Sequence, residues 1–190
     1  MKQKIYFDNA ATTQVDERVV LSMLPYHSEE YGNASSLHSY GTHAKEILDR
    51  SRRKLASFIG AEPDEIVFTS GGTESNNLAL KGIAFANRSK GNHIIVSTIE
   101  HDCVLNVCKW LETQGFYITY LPVDNTGVVD VNELKKFINP KTILVSVMHA
   151  NNEMGTLEPI EEIGQICKSY NVPFHSDACQ SFGKIPIDVN

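Results

Sequence analysis

Long apolar runs are missing from this sequence. The most apolar stretch, Thr142 to Met148, is far too short to cross a bilayer, which takes about 20 residues as a helix. Met1-Lys2-Gln3-Lys4-Ile5 leads straight into a strand-like segment, without the apolar core of a secretory signal. Basic residues are also in deficit: 17 Lys and Arg stand against 23 Asp and Glu, a formal charge of −6. Nucleic-acid binding needs clustered positive charge, so that partner class is set aside. The densest basic patch, Arg50, Arg52, Arg53 and Lys54, falls within a helical pattern and reads as a solvated face. Cysteine occurs only at 103, 108, 167 and 179, with no Cys-x-x-Cys pair. Internal repeats and low-complexity linkers are absent too.

What remains is an ordinary globular composition, 42% apolar and 21% charged, in a chain of 190 residues, long enough for a sizeable core. From residue 60 onward, β-rich and helical runs alternate. Strands are expected at Ile66–Thr69, His93–Thr98, Phe116–Val123, Thr142–His149 and Val172–Ala178. Between them, helices are expected at about Thr73–Asn87, Glu100–Gln114, Val131–Ile138 and Ile160–Tyr170. Asp130 and Glu133 have the spacing of a capping box, and Pro159 suits the first turn of a helix. Such β-α-β repetition predicts an α/β fold of three layers, a mainly parallel sheet with helices on both faces.

Earlier residues follow another pattern. A helix is expected from about Asp16 to Tyr26, then a loop over Glu29–Ser39. A second helix, His43–Ile59, places Ala44, Ile47, Leu48, Leu55 and Phe58 on one face and ends at Gly60.

Ligands in open parallel sheets bind outside the carboxyl ends of the strands. Four polar clusters fall there. Thr69-Ser70-Gly71-Gly72-Thr73-Glu74 joins a strand to a helix, where glycines admit close approach and free N–H groups suit a phosphate. An ordinary strand-to-helix turn is the alternative. His101, in Thr98-Ile99-Glu100-His101, could stack on a flat ligand or shuttle a proton, or could simply begin a helix. Asn151-Asn152-Glu153 follows another apolar strand, either as a site or as a turn bonded to its own backbone. Asp177, in His175-Ser176-Asp177-Ala178-Cys179-Gln180, is a carboxylate at the end of a buried strand and needs a partner. A protonated ring nitrogen of a cofactor, an internal Arg or a capped helix would serve.

The order and spacing of these motifs, with Asp8-Asn9-Ala10-Ala11-Thr12-Thr13 before them and Ser70 to Asn77 among them, resemble cysteine desulfurases of the class-V aminotransferase superfamily, from Ile5 to Asn190. The resemblance implies pyridoxal 5'-phosphate as cofactor and L-cysteine as substrate. Sulfur would leave as a protein persulfide bound for a sulfur-acceptor or iron–sulfur scaffold protein. It implies that Gly72 and Thr73 hold the phosphate and that His101 stacks on the ring and assists proton transfer. Asn152 would bond near the phenolic oxygen and the substrate carboxylate, Asp177 would pair with the pyridinium nitrogen, and Gln180 would donate to the phenolic oxygen. The family is intracellular and homodimeric, so reduced thiols, a cytoplasmic location, no membrane partner and a dimer are expected. Residues 1–15 would lie on the small-domain side, with 16–190 a partial large domain.

Two departures stand out. Ala34 replaces the proline usual in the Tyr31–His38 loop, and Cys179 stands where a small or β-branched residue is common. The family's Schiff-base lysine, in a Ser-x-His-Lys segment, and its persulfide cysteine lie beyond the ten residues that follow Gln180. Lys184 instead matches a structural strand of the family. The chain is therefore expected to be inactive alone, to bind the cofactor weakly, and to self-associate through an unpaired sheet edge.

Overall fold

A computed structural model describes residues 4–190. These form two compact units, one comprising the described residues up to Phe68 with Ile185–Asn190, the other Thr69–Lys184.

The first unit is helical. Helix α1, Glu17–Met23, begins at Asp16, whose carboxylate accepts from the Arg18 N–H at 2.8 Å. The expected single helix to Tyr26 is divided instead, because Pro25 has no N–H to donate to the preceding turn. Pro25 opens the short α2, Pro25–Ser28. Helix α3, Ser39–Ile59, starts one turn before the expected His43, with His38 as its N-cap. It ends where Gly60 takes φ +71°, a left-handed conformation that costs glycine nothing.

Ile66–Thr69 is not a strand. A strand needs a neighbour in register, and this segment pairs with none among the described residues. Arg52 holds it instead: the guanidinium donates to the Ile66 carbonyl and lies 4.8 Å from the centre of the Phe68 ring. Arg52 thus stands apart from the solvated face expected of its neighbours.

The second unit alternates strand and helix: α4 Gly72–Ala86, β1 His93–Ser97, α5 Asp102–Thr113, β2 Tyr117–Leu121, α6 Val131–Phe137, β3 Thr142–Ser146, α7 Ile160–Ser169 and β4 Phe174–His175. The sheet runs β2-β1-β3-β4, parallel throughout. Ile94 stands beside Ile118 on one side and Leu144 on the other.

Both faces are covered, which is why β1 and β3 read as unbroken apolar runs. Ile94, Val96 and Leu144 meet Leu80 and Ala84 of α4 and Val104, Val107, Cys108 and Leu111 of α5. Ile95, Val145 and Val147 face the other way, onto Leu134 of α6 and Ile163, Ile166 and Cys167 of α7. Each Val, Leu or Ile among them contributes about 1.5–3 kcal/mol on leaving water. The expected helix–sheet–helix layering is therefore what the chain forms.

β4 is shorter than Val172–Ala178. Pro173 has no N–H for a ladder, yet the segment still serves β3 as an acceptor: Val147 N–H donates to His175 and His149 N–H to Asp177. That pairing carries Asp177 alongside the end of β3. Lys184 and the residues after it, expected to run as a strand, form none. At Asp130 the side chain accepts from Asn132 N–H, as a cap should. Glu133 pairs with Lys136 at 2.5 Å rather than completing a box.

Candidate functional site

Polar turns of the second unit gather at the carboxyl end of the sheet. The first precedes α4. Gly71 has φ +157° and ψ 179°, a region essentially reserved for glycine. A Cβ at Gly71 would meet nothing within 4 Å, so the space above the turn is open. At Gly72 the opposite holds, since a Cβ there would come within 2.7 Å of the Cys179 sulfur. Glycine is needed at 71 for conformation and at 72 for close packing. No side chain caps α4, so its first-turn N–H groups point outward with the positive end of the helix dipole. Thr73 is exposed there. Glu74 folds back, its carboxylate accepting from the Ser70 N–H at 2.7 Å, and the Ser70 side chain and N–H together hold its pKa below the usual carboxylate range.

His101 is the N-cap of α5. Its Nδ1 accepts from the Cys103 N–H at 3.1 Å, leaving exposed Nε2 as the ring's other polar atom. The helix-start reading of His101 is thus correct, and it fixes the ring without consuming Nε2.

Asp177 anchors the floor. It is only 7% exposed, yet Oδ1 accepts from the Cys179 N–H at 2.9 Å and Oδ2 from the Asn76 amide at 2.7 Å. Burial alone would raise its pKa, but these bonds and the Cys179 thiol more than offset that and hold it below the ordinary value. The carboxylate stays charged with no arginine or lysine paired to it among the described residues.

Asn76 comes from the second turn of α4 and is 3% exposed. While Nδ2 serves Asp177, it also lies 3.1 Å from Cys103 Sγ, and Oδ1 faces His175 Nε2 at 3.1 Å. An amide oxygen only accepts, so His175 carries its proton on Nε2 and receives the Ser146 hydroxyl at Nδ1, 2.8 Å away. Burial pushes the His175 pKa down, in keeping with a neutral ring. Four elements, β3, β4, α4 and α5, are thereby joined behind one carboxylate.

Asn151 and Asn152 divide the labour that sequence left undecided. Asn151 is buried: Nδ2 donates to the Ile99 carbonyl at 2.9 Å, and Oδ1 accepts from the Glu153 and Met154 N–H groups. Asn152 is half-buried, and its amide donates to the Glu153 carboxylate at 3.0 Å. Gln180 is half-buried in the turn after Asp177.

Sequence reasoning singled out Gly72, Thr73, His101, Asn152, Asp177 and Gln180 but missed Asn76, Asn151 and His175 as the supports. An asparagine in mid-helix, a poor helix former with no local reason to be there, was the available signal for Asn76.

Cys108, Cys167 and Cys179 do not resemble reactive thiols. Burial pushes Cys108 up to about 12, and Cys167 and Cys179 up to about 11, with Asp177 adding to the effect at Cys179.

An uncapped helix start, an open space above Gly71 and a charged, buried carboxylate suit a ligand with a phosphate at one end and a protonated ring nitrogen at the other. Pyridoxal 5'-phosphate has both.

Comparison with known proteins gives the family. The Aminotransferase class-V family profile matches residues 5–190. The chain is 56% identical to cysteine desulfurase IscS of Methanosarcina thermophila over 97% of its own length and 46% of that protein's. It is 52% identical to the human cysteine desulfurase, over 98% and 41% respectively. Among solved structures, SspA in complex with cysteine superposes with a TM-score of 0.93 at 45% identity, covering 97% of this chain and 53% of that one. A NifS-like protein gives 0.94 at 43% identity, covering 98% and 52%. The chain spans about half the length of the relatives it matches.

Proposed function

Because the chain belongs to the class-V aminotransferase family, we propose that it is the cofactor-cradling portion of a cysteine desulfurase. Such an enzyme removes sulfur from L-cysteine, leaving L-alanine and a persulfide on a protein thiol. The observation that carries the reading is Asp177: buried, still ionised, and satisfied from outside by the Asn76 amide and the Cys179 N–H. A carboxylate kept charged in that setting is suited to a pyridinium nitrogen.

Bound pyridoxal phosphate supplies an electron sink for the substrate's bonds. In this reading the residues of the chain divide the remaining work. Gly72 and Thr73 hold the phosphate with first-turn N–H groups and the Thr73 hydroxyl. Asp177 keeps the ring nitrogen protonated. His101 stacks on the ring and moves protons through Nε2, since Nδ1 is engaged as a cap. Gln180 donates toward the phenolic oxygen. Asn152, its amide now on Glu153, turns to serve the phenolic oxygen and the substrate carboxylate.

The Schiff-base lysine and the sulfur-accepting thiol are proposed to come from outside these 190 residues. The raised pKa values of Cys108, Cys167 and Cys179 support this for the thiol. We place residues 1–15 on the small-domain side and 16–190 in a partial large domain. The sulfur acceptor is proposed to be an iron–sulfur scaffold or similar protein, the enzyme a homodimer, and its location cytoplasmic. No described helix is long and apolar enough to cross a membrane. Another class-V aminotransferase or lyase with a different amino-acid substrate, and a non-catalytic remnant that docks partners, are the competing readings. Cysteine is favoured by the neighbour solved in complex with it.

The test is a pyridoxal phosphate titration followed by absorbance, borohydride reduction, mass spectrometry and a sulfide assay. Reversible binding that Asp177→Asn weakens, with no lysine adduct and no sulfide, is expected from the 190-residue chain. A stoichiometric adduct on one specific lysine with sulfide release would overturn the division of the machinery. Failure to bind at all would overturn the cradle.

A further inference from the structure

Glu100 immediately precedes His101, is only 5% exposed, and has no cation paired with it among the described residues. Its Oε1 accepts two short bonds, from the Ser97 hydroxyl and from the Met148 backbone N–H, each 2.6 Å. Ser97 is the last residue of β1, and Met148 lies just past β3. A single oxygen therefore spans from the turn that presents His101 to the loop that leads into Asn151 and Asn152. Oε2 is buried with no partner, so the carboxyl group uses only one of its two oxygens.

The bond to Met148 gives a buried donor its partner. Met148 and Ser97 are 2% and 0% exposed, and losing an acceptor there would leave a polar group stranded away from water. A second tie runs between the same two loops, the Asn151 amide to the Ile99 carbonyl at 2.9 Å. Burial is what chiefly pushes the Glu100 pKa up, to about 7, and the charges that reach it, those of Asp177 and Glu158, are both acidic and act in the same sense. Only the two bonds from Ser97 and Met148 favour the ionised form, and burial outweighs them, so the surrounding does not demand a charge. It calls for an acceptor at a fixed distance from the backbone.

We propose that Glu100 is a positioning residue of the cofactor site, locking the His101 turn to the Met148–Asn152 loop through the reach of its side chain rather than its charge. The proposal rests on the reading that His101 and Asn152 face the cofactor. It makes opposite demands of two conservative substitutions. Glu100→Gln keeps the reach and an acceptor oxygen but cannot ionise. Glu100→Asp keeps the charge but is one methylene too short to serve both donors.

The experiment compares wild type, Glu100→Gln, Glu100→Asp and Ser97→Ala in the full-length protein. Hydrogen exchange at the Met148 amide reads the clamp, and pyridoxal phosphate affinity reads its consequence. Glu100→Gln should match wild type within about twofold in both readouts. Glu100→Asp should exchange at Met148 and lose cofactor affinity by about tenfold, the equivalent of one buried hydrogen bond. The protection of β1 amides should stay unchanged, which separates positioning from general destabilisation. Should Glu100→Asp fail to fold, Ser97→Ala removes one donor and should show a smaller loss in the same direction. Glu100→Gln failing alongside Glu100→Asp, or Met148 remaining protected in Glu100→Asp, overturns the proposal. If wild type does not bind pyridoxal phosphate, the cradle reading falls, while Met148 exchange still decides the clamp.

Discussion

The two units of this chain are built on different terms. In Thr69–Lys184, β1 and β3 are buried along their whole length, and apolar helix faces cover both sides of the sheet. In the residues up to Phe68, α1 buries nothing, and the 21-residue α3 buries only Gly41 and Ala56. Large apolar side chains stand open there, Leu37 completely and Phe7 at 89%. Amphipathic spacing makes a helix in both units, but a core requires a second apolar face to meet the first. Only the sheet unit supplies both faces from its own residues. The groups proposed to bind cofactor, which need rigid support, all lie in that unit.

The largest effect should come from truncating the same kind of side chain in each unit. Leu144→Ala, fully buried between β1 and α4, should cost about 2–5 kcal/mol in urea unfolding. Phe58→Ala, with Phe58 61% exposed, should cost less than about 1 kcal/mol. Equal costs would erase the contrast.

Next comes pH. Burial and the nearby acids raise the Glu100 pKa from 4.5 to about 7, so the folded chain binds more protons than the unfolded one between those values. Its stabilising contribution is full below about pH 4.5 and is lost as pH rises through 7, by roughly 3 kcal/mol at most. Subtracting the stability profile of Glu100→Gln from that of wild type should isolate this fall. A flat difference curve would show that Glu100 ionises freely.

Asn76→Ala should cost about 1–3 kcal/mol, because it strands His175 and removes a donor from Asp177. NMR titration should show the Asp177 pKa rising, since the lost bond had favoured the charged form. An unmoved pKa would mean that the Cys179 N–H suffices. The smallest effect belongs to the helical unit, where Lys45 and Asp49 pair at 2.7 Å on an open surface. Lys45→Ala should leave the thermal midpoint within error, and a clear drop would reveal support that the exposed geometry does not explain.

The periodicity that predicted α4 to α7 and β1 to β3 is local, and those elements stand close to where the spacing puts them. Ile66–Thr69 shows the limit. Its residues favour a strand, but a strand is made by its neighbour, and the Arg52 side chain met it instead. The glycines before α4 and the acid after β4 were legible because their chemistry is unusual wherever they fall. Their supports were not. Asn76 meets Asp177 across 101 positions, and Glu100 meets Met148 across 48, so nothing beside either residue in sequence names its partner. Asn151 shows the same blindness at close range: of two adjacent asparagines, only the folded chain tells which one is buried.

The central claim is that the cofactor-binding residues of this chain all lie in the sheet unit. It is tested most directly by recording backbone amide NMR spectra of the chain while pyridoxal phosphate is added. Shifts should concentrate at Gly72, Thr73, His101 and Asp177 and should be absent from Glu17–Met23. Shifts confined instead to the opposite, amino end of the sheet, around Asn139, Lys168 and Tyr170, would contradict the account.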